Sequence, residues 1–149
     1  MPSMTSTTTS FAFTWAAFYG FALAALILSG NWTMEFLALF CHKDAYTLGN
    51  FGQVWAHWHA VGCAFVGLTN LSCVRDARGG FGPDGKVAVA QNTAFIFGVW
   101  GVQNVYYCVT RDDLFTPLMW LNAIACLGTA VYSLQAAHGI TSKSTGKKA

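Results

Sequence analysis

Residues 55–59 read Trp55-Ala56-His57-Trp58-His59 and hold two of the four histidines in the 149-residue chain. A neutral imidazole nitrogen can serve as axial ligand to a haem iron or a chlorophyll magnesium, and it can relay a proton. The two histidines cannot chelate one ion together, because residues two apart on an α-helix point about 200° away from each other. His59 does share a helical face with Cys63, but no further ligands follow at a spacing that would complete a metal site, so none is assigned. The alternative reading of the motif is an aromatic belt in which Trp55, Trp58 and the imidazoles sit at a lipid–water boundary. His57 and His59 are thus candidate haem or chlorophyll ligands, and Trp55 and Trp58 candidate interface residues.

Other chemistry is missing from the pattern. The six carboxylates (Glu35, Asp44, Asp76, Asp84, Asp112 and Asp113) lie outside the long apolar runs, whereas a proton-driven carrier would place an acid inside one. No Ser-His-Asp arrangement, paired in-span carboxylates or phosphate loop is present, so no catalytic residues are assigned and the expectation is not an enzyme. Basic residues are not interleaved with aromatics, which argues against a nucleic-acid partner. The five cysteines, at 41, 63, 73, 108 and 126, contain no CxxC pair and read mostly as small apolar residues.

The elements that position these groups follow from composition. Hydrophobic residues make up 54% of the chain and charged residues 9%, far fewer charges than a soluble domain carries. Residues 1–34, 45–74, 87–110 and 114–142 contain no Asp, Glu, Lys or Arg. This predicts an all-α integral membrane four-helix bundle, one polytopic domain over 1–149, with spans at about 11–29, 54–74, 87–109 and 114–137. Trp32, Phe36, Leu39 and Phe40 recur at helical spacing behind Asn31, predicting a short interfacial helix between the first two spans. Gly79-Gly80 and Pro83-Asp84-Gly85 read as turns. Only Arg111-Asp112-Asp113 separates the third and fourth charge-free runs, which predicts a tight hairpin with Pro117 in the first turn of the fourth helix. The polar stretch before residue 11 lacks the basic residues of a secretory leader, so the first span is read as retained.

Lys and Arg set the orientation. Arg75, Arg78 and Lys86 lie in the second connection and Lys143, Lys147 and Lys148 in the tail, against Lys43 and Arg111 in the other connections. Both termini are therefore expected on the positive-inside face. In that frame His57, His59, Gln103, Asn104 and Asn122 share an outer layer, the three amides being candidates for interhelical packing, while Asn70, Gln91 and Asn92 form an inner one. Aromatics are 15% of the chain, more than so small a bundle can hide, so membrane lipids and other membrane subunits are the expected partners and bound lipid is expected. By analogy, the function expected is a structural accessory subunit of an energy-transducing complex (respiratory chain, ATP synthase or photosystem) in the mitochondrial inner membrane or chloroplast thylakoid. The alternatives are a haem- or chlorophyll-binding membrane protein and a small membrane enzyme or carrier.

Overall fold

The computed structural model describes residues 6–28, 40, 42, 50–76 and 80–146, and the side chains of 9–28, 40, 42, 56–76 and 80–144. These residues form four helices and no strand: α1 (Ser6–Leu28), α2 (Asn50–Arg75), α3 (Gly82–Thr110) and α4 (Met119–Gly146). The expected interfacial helix lies outside the described residues, apart from Phe40 and His42.

The helices reach past the expected spans. In α1 the Ser/Thr-rich stretch is helical from Ser6, and hydroxyls there bond within the helix, as Thr14 Oγ1 does to the Ser10 carbonyl at 2.9 Å. In α3 the Pro83-Asp84-Gly85 sequence is the first helical turn and not a reverse turn. Pro83 loses nothing there for want of an N–H, and Asp84 opposes the positive end of the helix dipole.

The fourth helix starts later than its charge-free run. The Leu114 and Phe115 N–H groups both donate back to the Arg111 carbonyl, at 3.0 and 3.2 Å. The next stretch pairs with the first connection: the His42 N–H donates to Leu114 O and the Thr116 N–H to Phe40 O, each at 2.8 Å. Proline also disfavours the helical conformation in the residue before it. Pro117 therefore precedes α4 instead of sitting in its first turn, and the connection is longer than the three residues expected.

α1 packs along α2 and α3 along α4; α1 also meets α4 and, less closely, α2 meets α3. Two glycines allow the close pairings. A Cβ on Gly20 would lie 2.8 Å from the Cys63 carbonyl oxygen and the Gly67 nitrogen, so α1 and α2 meet backbone to backbone. A Cβ on Gly101 would lie 2.6 Å from Leu127 Cδ2 and 3.1 Å from its nitrogen, which ties α3 to α4. The buried positions are mostly small, including Ala16, Ala60, Cys63, Ala123, Cys126 and Ala136, with Asn70, Thr93, Thr129 and Ser133 among them. Among the described residues, two helices are long and apolar enough to cross a membrane, over Thr9–Leu28 and Met119–Ser144. α2 and α3, at 26 and 29 residues, have the length. Their apolar character is diluted by His57, His59 and Asn70 in one, and by Gln91, Asn92, Gln103 and Asn104 in the other.

Candidate functional site

Phe97 of α3 is the largest fully buried side chain among the described residues, and a ladder of rings crosses the bundle through it. Tyr19 stacks on Phe97 with centroids 5.3 Å apart, Trp15 stacks on Tyr19 at 6.0 Å, and Trp100 meets Phe97 edge-on at 5.3 Å. The His59 ring closes the series on the α2 side, 4.8 Å from Trp100 in an edge arrangement. Four-residue spacing puts Trp15 and Tyr19 on one face of α1, and three-residue spacing puts Phe97 and Trp100 together on α3.

Polar groups fill the same layer. The Tyr19 hydroxyl donates to Asn122 Oδ1 at 2.5 Å and lies 3.6 Å from Cys126 Sγ, while Asn104 Nδ2 approaches that sulfur at 3.8 Å. One turn further along α4, Trp15 Nε1 donates to Thr129 Oγ1 at 2.9 Å, and that hydroxyl donates to Ala125 O at 2.7 Å. A separate tie joins α2 to α3, where buried Asn70 donates through Nδ2 to Thr93 Oγ1 and Val66 O, both at 2.9 Å. Among the described residues no buried side-chain nitrogen or oxygen lacks a partner. Among the described residues, the Tyr19 phenol has an amide and a thiol beside it and no base. The arrangement is therefore chemically a set of interhelical fasteners.

The structure separates the residues that the sequence grouped by depth. Asn104 reaches Cys126 and Asn122 accepts from Tyr19, but the two amides share no bond with each other. Gln103 faces outward and donates to Tyr107 Oη of its own helix at 3.2 Å. His57 and Trp58 are exposed, His59 is exposed with its ring edge against Trp100, and the Trp55 side chain lies outside the described set. In the inner layer Asn70 is buried, whereas Gln91 and Asn92 point outward. Cys63 is fully buried beneath His59's turn, and no three of His, Cys, Asp and Glu gather to hold a metal among the described residues. Tyr19, Trp15, Thr93 and Thr129 were not singled out from the sequence, and Cys126 reads there only as a small apolar residue. The signal available was spacing: Asn122, Cys126 and Thr129 repeat at i, i+4 and i+7 and form one stripe of α4.

Ion pairs sit at the ends of the bundle. Lys86 Nζ lies 3.3 Å from Asp76 Oδ2, and the Asp76 carboxylate also accepts the Gly80 N–H at 2.7 Å and the Phe81 N–H at 3.3 Å. Desolvation pushes the Asp76 carboxyl up, but the Gly80 N–H, the Lys86 ammonium and the Phe81 N–H outweigh it and hold the group below its usual range. At the opposite end Arg111 forks onto Asp113 at 2.9 and 3.1 Å; that pairing lowers the carboxyl and raises the guanidinium. Compared with known proteins, the chain matches no family model, no curated protein and no solved structure.

Proposed function

We propose that the chain is an integral membrane four-helix bundle acting as a structural accessory subunit, seated by its lateral surface against other subunits of a larger membrane assembly. An energy-transducing complex is the first host to test. The observation that carries this reading is the inverted distribution of size and polarity across the bundle. Alanine, cysteine, asparagine and threonine are inside, while large apolar residues face out on every helix: Phe18 on α1, Phe65 on α2, Phe95 on α3 and Ile124 on α4 are each 62–72% exposed. Small residues let helices approach closely in lipid, and polar side chains fasten them, because lipid-facing apolar surface there costs nothing. In water the same girdle would far exceed the few hundred Å² that monomers leave exposed.

Two further features support the membrane reading. The apolar stretches of α1 and α4 are 33% and 44% buried, unlike the core helix of a soluble protein, whose residues are mostly enclosed. Hydroxyls near the surface are satisfied by their own helix, as in Ser72 to Leu68 O at 2.9 Å and Thr110 to Tyr106 O at 2.8 Å, which removes the need for water. The subunit role is supported by the pairing of the polar layer with itself and by outward aromatic area. Trp58, 64% exposed among Val61 and Phe65, is the leading anchor.

The test is extraction in mild detergent followed by a native gel. The chain is expected to migrate with other subunits in fixed stoichiometry, and Trp58→Ala to detach it, since a buried tryptophan anchor typically contributes about 2 kcal/mol or more to an interface. Turnover or solute transport by the isolated chain would overturn the reading. A second reading, axial ligation of a haem or chlorophyll, is favoured by the outward imidazole of His59 beside Trp100. It would win if His59→Ala abolished a bound absorption band while assembly survived.

A further inference from the structure

We infer that the open cavity at the Lys143 end of the bundle holds the phosphate of an anionic phospholipid. The cavity measures about 830 Å³ and is framed by all four helices, by the beginnings of α1 and α3 and the ends of α2 and α4. Its wall is apolar where Phe13, Val74 and Ile140 line it, and Phe13 is packed with Cys73, Ala90 and Ala137 beneath. Its rim is polar, carrying Ser10, Ser144, Lys86, Lys143 and Asp76.

The charges on that rim leave one cation over. Asp76 is taken up by Lys86 and by two backbone N–H groups, and its side chain is only 7% exposed. Lys143 forms no ion pair among the described residues, and the side-chain hydroxyls of Ser10 and Ser144 have no hydrogen-bond partner there. An ammonium and two hydroxyls are the donors a phosphate needs, and one surplus positive charge matches the single negative charge of a phosphodiester. The apolar wall selects the lipid over free phosphate by covering glycerol and the first acyl carbons. A zwitterionic headgroup would bring its own ammonium toward Lys86 and Lys143, so an anionic lipid is preferred. Headgroup sites of this kind lie where basic side chains meet the cytoplasmic-side interface.

The inference rests on the membrane reading. It is tested on the full chain in mild detergent by native mass spectrometry with phosphatidylglycerol, phosphatidylcholine or inorganic phosphate. One phosphatidylglycerol should be retained in preference to phosphatidylcholine, and Lys143→Gln should weaken retention about tenfold, the usual cost of losing one charge-assisted contact. Ser10→Ala with Ser144→Ala should weaken it further, while thermal unfolding without lipid stays unchanged for both variants. Equal retention by wild type and Lys143→Gln overturns the inference, as does equal retention of phosphatidylcholine. If inorganic phosphate raises the melting temperature as much as phosphatidylglycerol does, the site takes free phosphate and the lipid assignment falls. These failures leave the membrane reading intact; a chain that is monodisperse without detergent overturns the membrane reading instead.

Discussion

Tyr19 shows how a single polar group is made to fasten three helices: its ring lies on Phe97 of α3, and its hydroxyl reaches Asn122 and Cys126 of α4 from α1. Removing the acceptor leaves the phenol with the thiol alone. Interhelical polar contacts in membranes average about 0.6 kcal/mol and reach about 1–2 kcal/mol, and this one is short and half-enclosed, so Asn122→Leu should destabilise the bundle by about 1 kcal/mol. Gln103→Leu is the control, because Gln103 bonds only within its own outward face, and it should change stability little. Thermal melts in detergent decide; equal losses in the two variants would mean that the Tyr19 contact is not a fastener. The depth of these amides was legible in the sequence, since charged residues bound the helices and so fix how far each position lies from an end. Their direction was not. Gln103 and Asn104 are neighbours about 100° apart on the helix, and only one can face α4. Tyr19 escaped notice because α1 is apolar all round, so no contrast marks the face that turns inward.

At the scale of the elements, the four helices were legible in the four charge-free runs, but their ends were not. Pro83-Asp84-Gly85 suits a turn and a first helical turn equally well, and the choice is made by Asp76, whose carboxylate accepts the Gly80 and Phe81 N–H groups just before α3. Pro117 was displaced from α4 by long-range pairing of Phe40 and His42 with 114–116, which no local pattern announces. The Asp76 clamp carries a pH signature. Its carboxyl titrates below its ordinary value of 3.8 in the folded chain. Its stabilisation is therefore fully present above the unfolded value and fades as pH falls through the lower, folded one. Asp76→Asn should melt at a lower temperature than wild type at neutral pH, and the gap between them should close below about pH 4. Comparing the two proteins cancels the parallel titration of Asp113. A gap that stays constant to pH 2 would show that the Asp76 charge does not hold the α2–α3 junction.

At the scale of the molecule, the proposed membrane reading comes in two forms, with two or with four of the helices crossing the bilayer. Only α1 and α4 are apolar enough by composition alone, and a chain spanning with those two would carry the α2–α3 hairpin wholly on the far side. Within that reading, the packing favours four. α2 runs beside α1 through the Gly20–Gly67 contact, α3 runs beside α4 through Gly101, and the helices of 23, 26, 29 and 28 residues all exceed the roughly 20 residues that span a hydrocarbon core. Outward apolar residues lie on all of them, including Val61 and Leu68 on α2 and Val99 and Val102 on α3. Amides within α2 and α3 dilute their composition, yet Asn70 and Asn104 spend theirs on neighbouring helices. The two arrangements differ in where residues 75–86 emerge. With four spans, the Arg75 and Lys86 end lies on the same side as Lys143, as the shared cavity requires, and the bias of Lys and Arg puts that side inside. With two spans, residues 75–86 and the tail lie on opposite sides. Trypsin added to sealed vesicles of known orientation should therefore cut within 75–86 and after Lys143 from one face, and at Arg111 only from the other. Cleavage of residues 75–86 and the tail from opposite faces would reduce the bundle to two crossings.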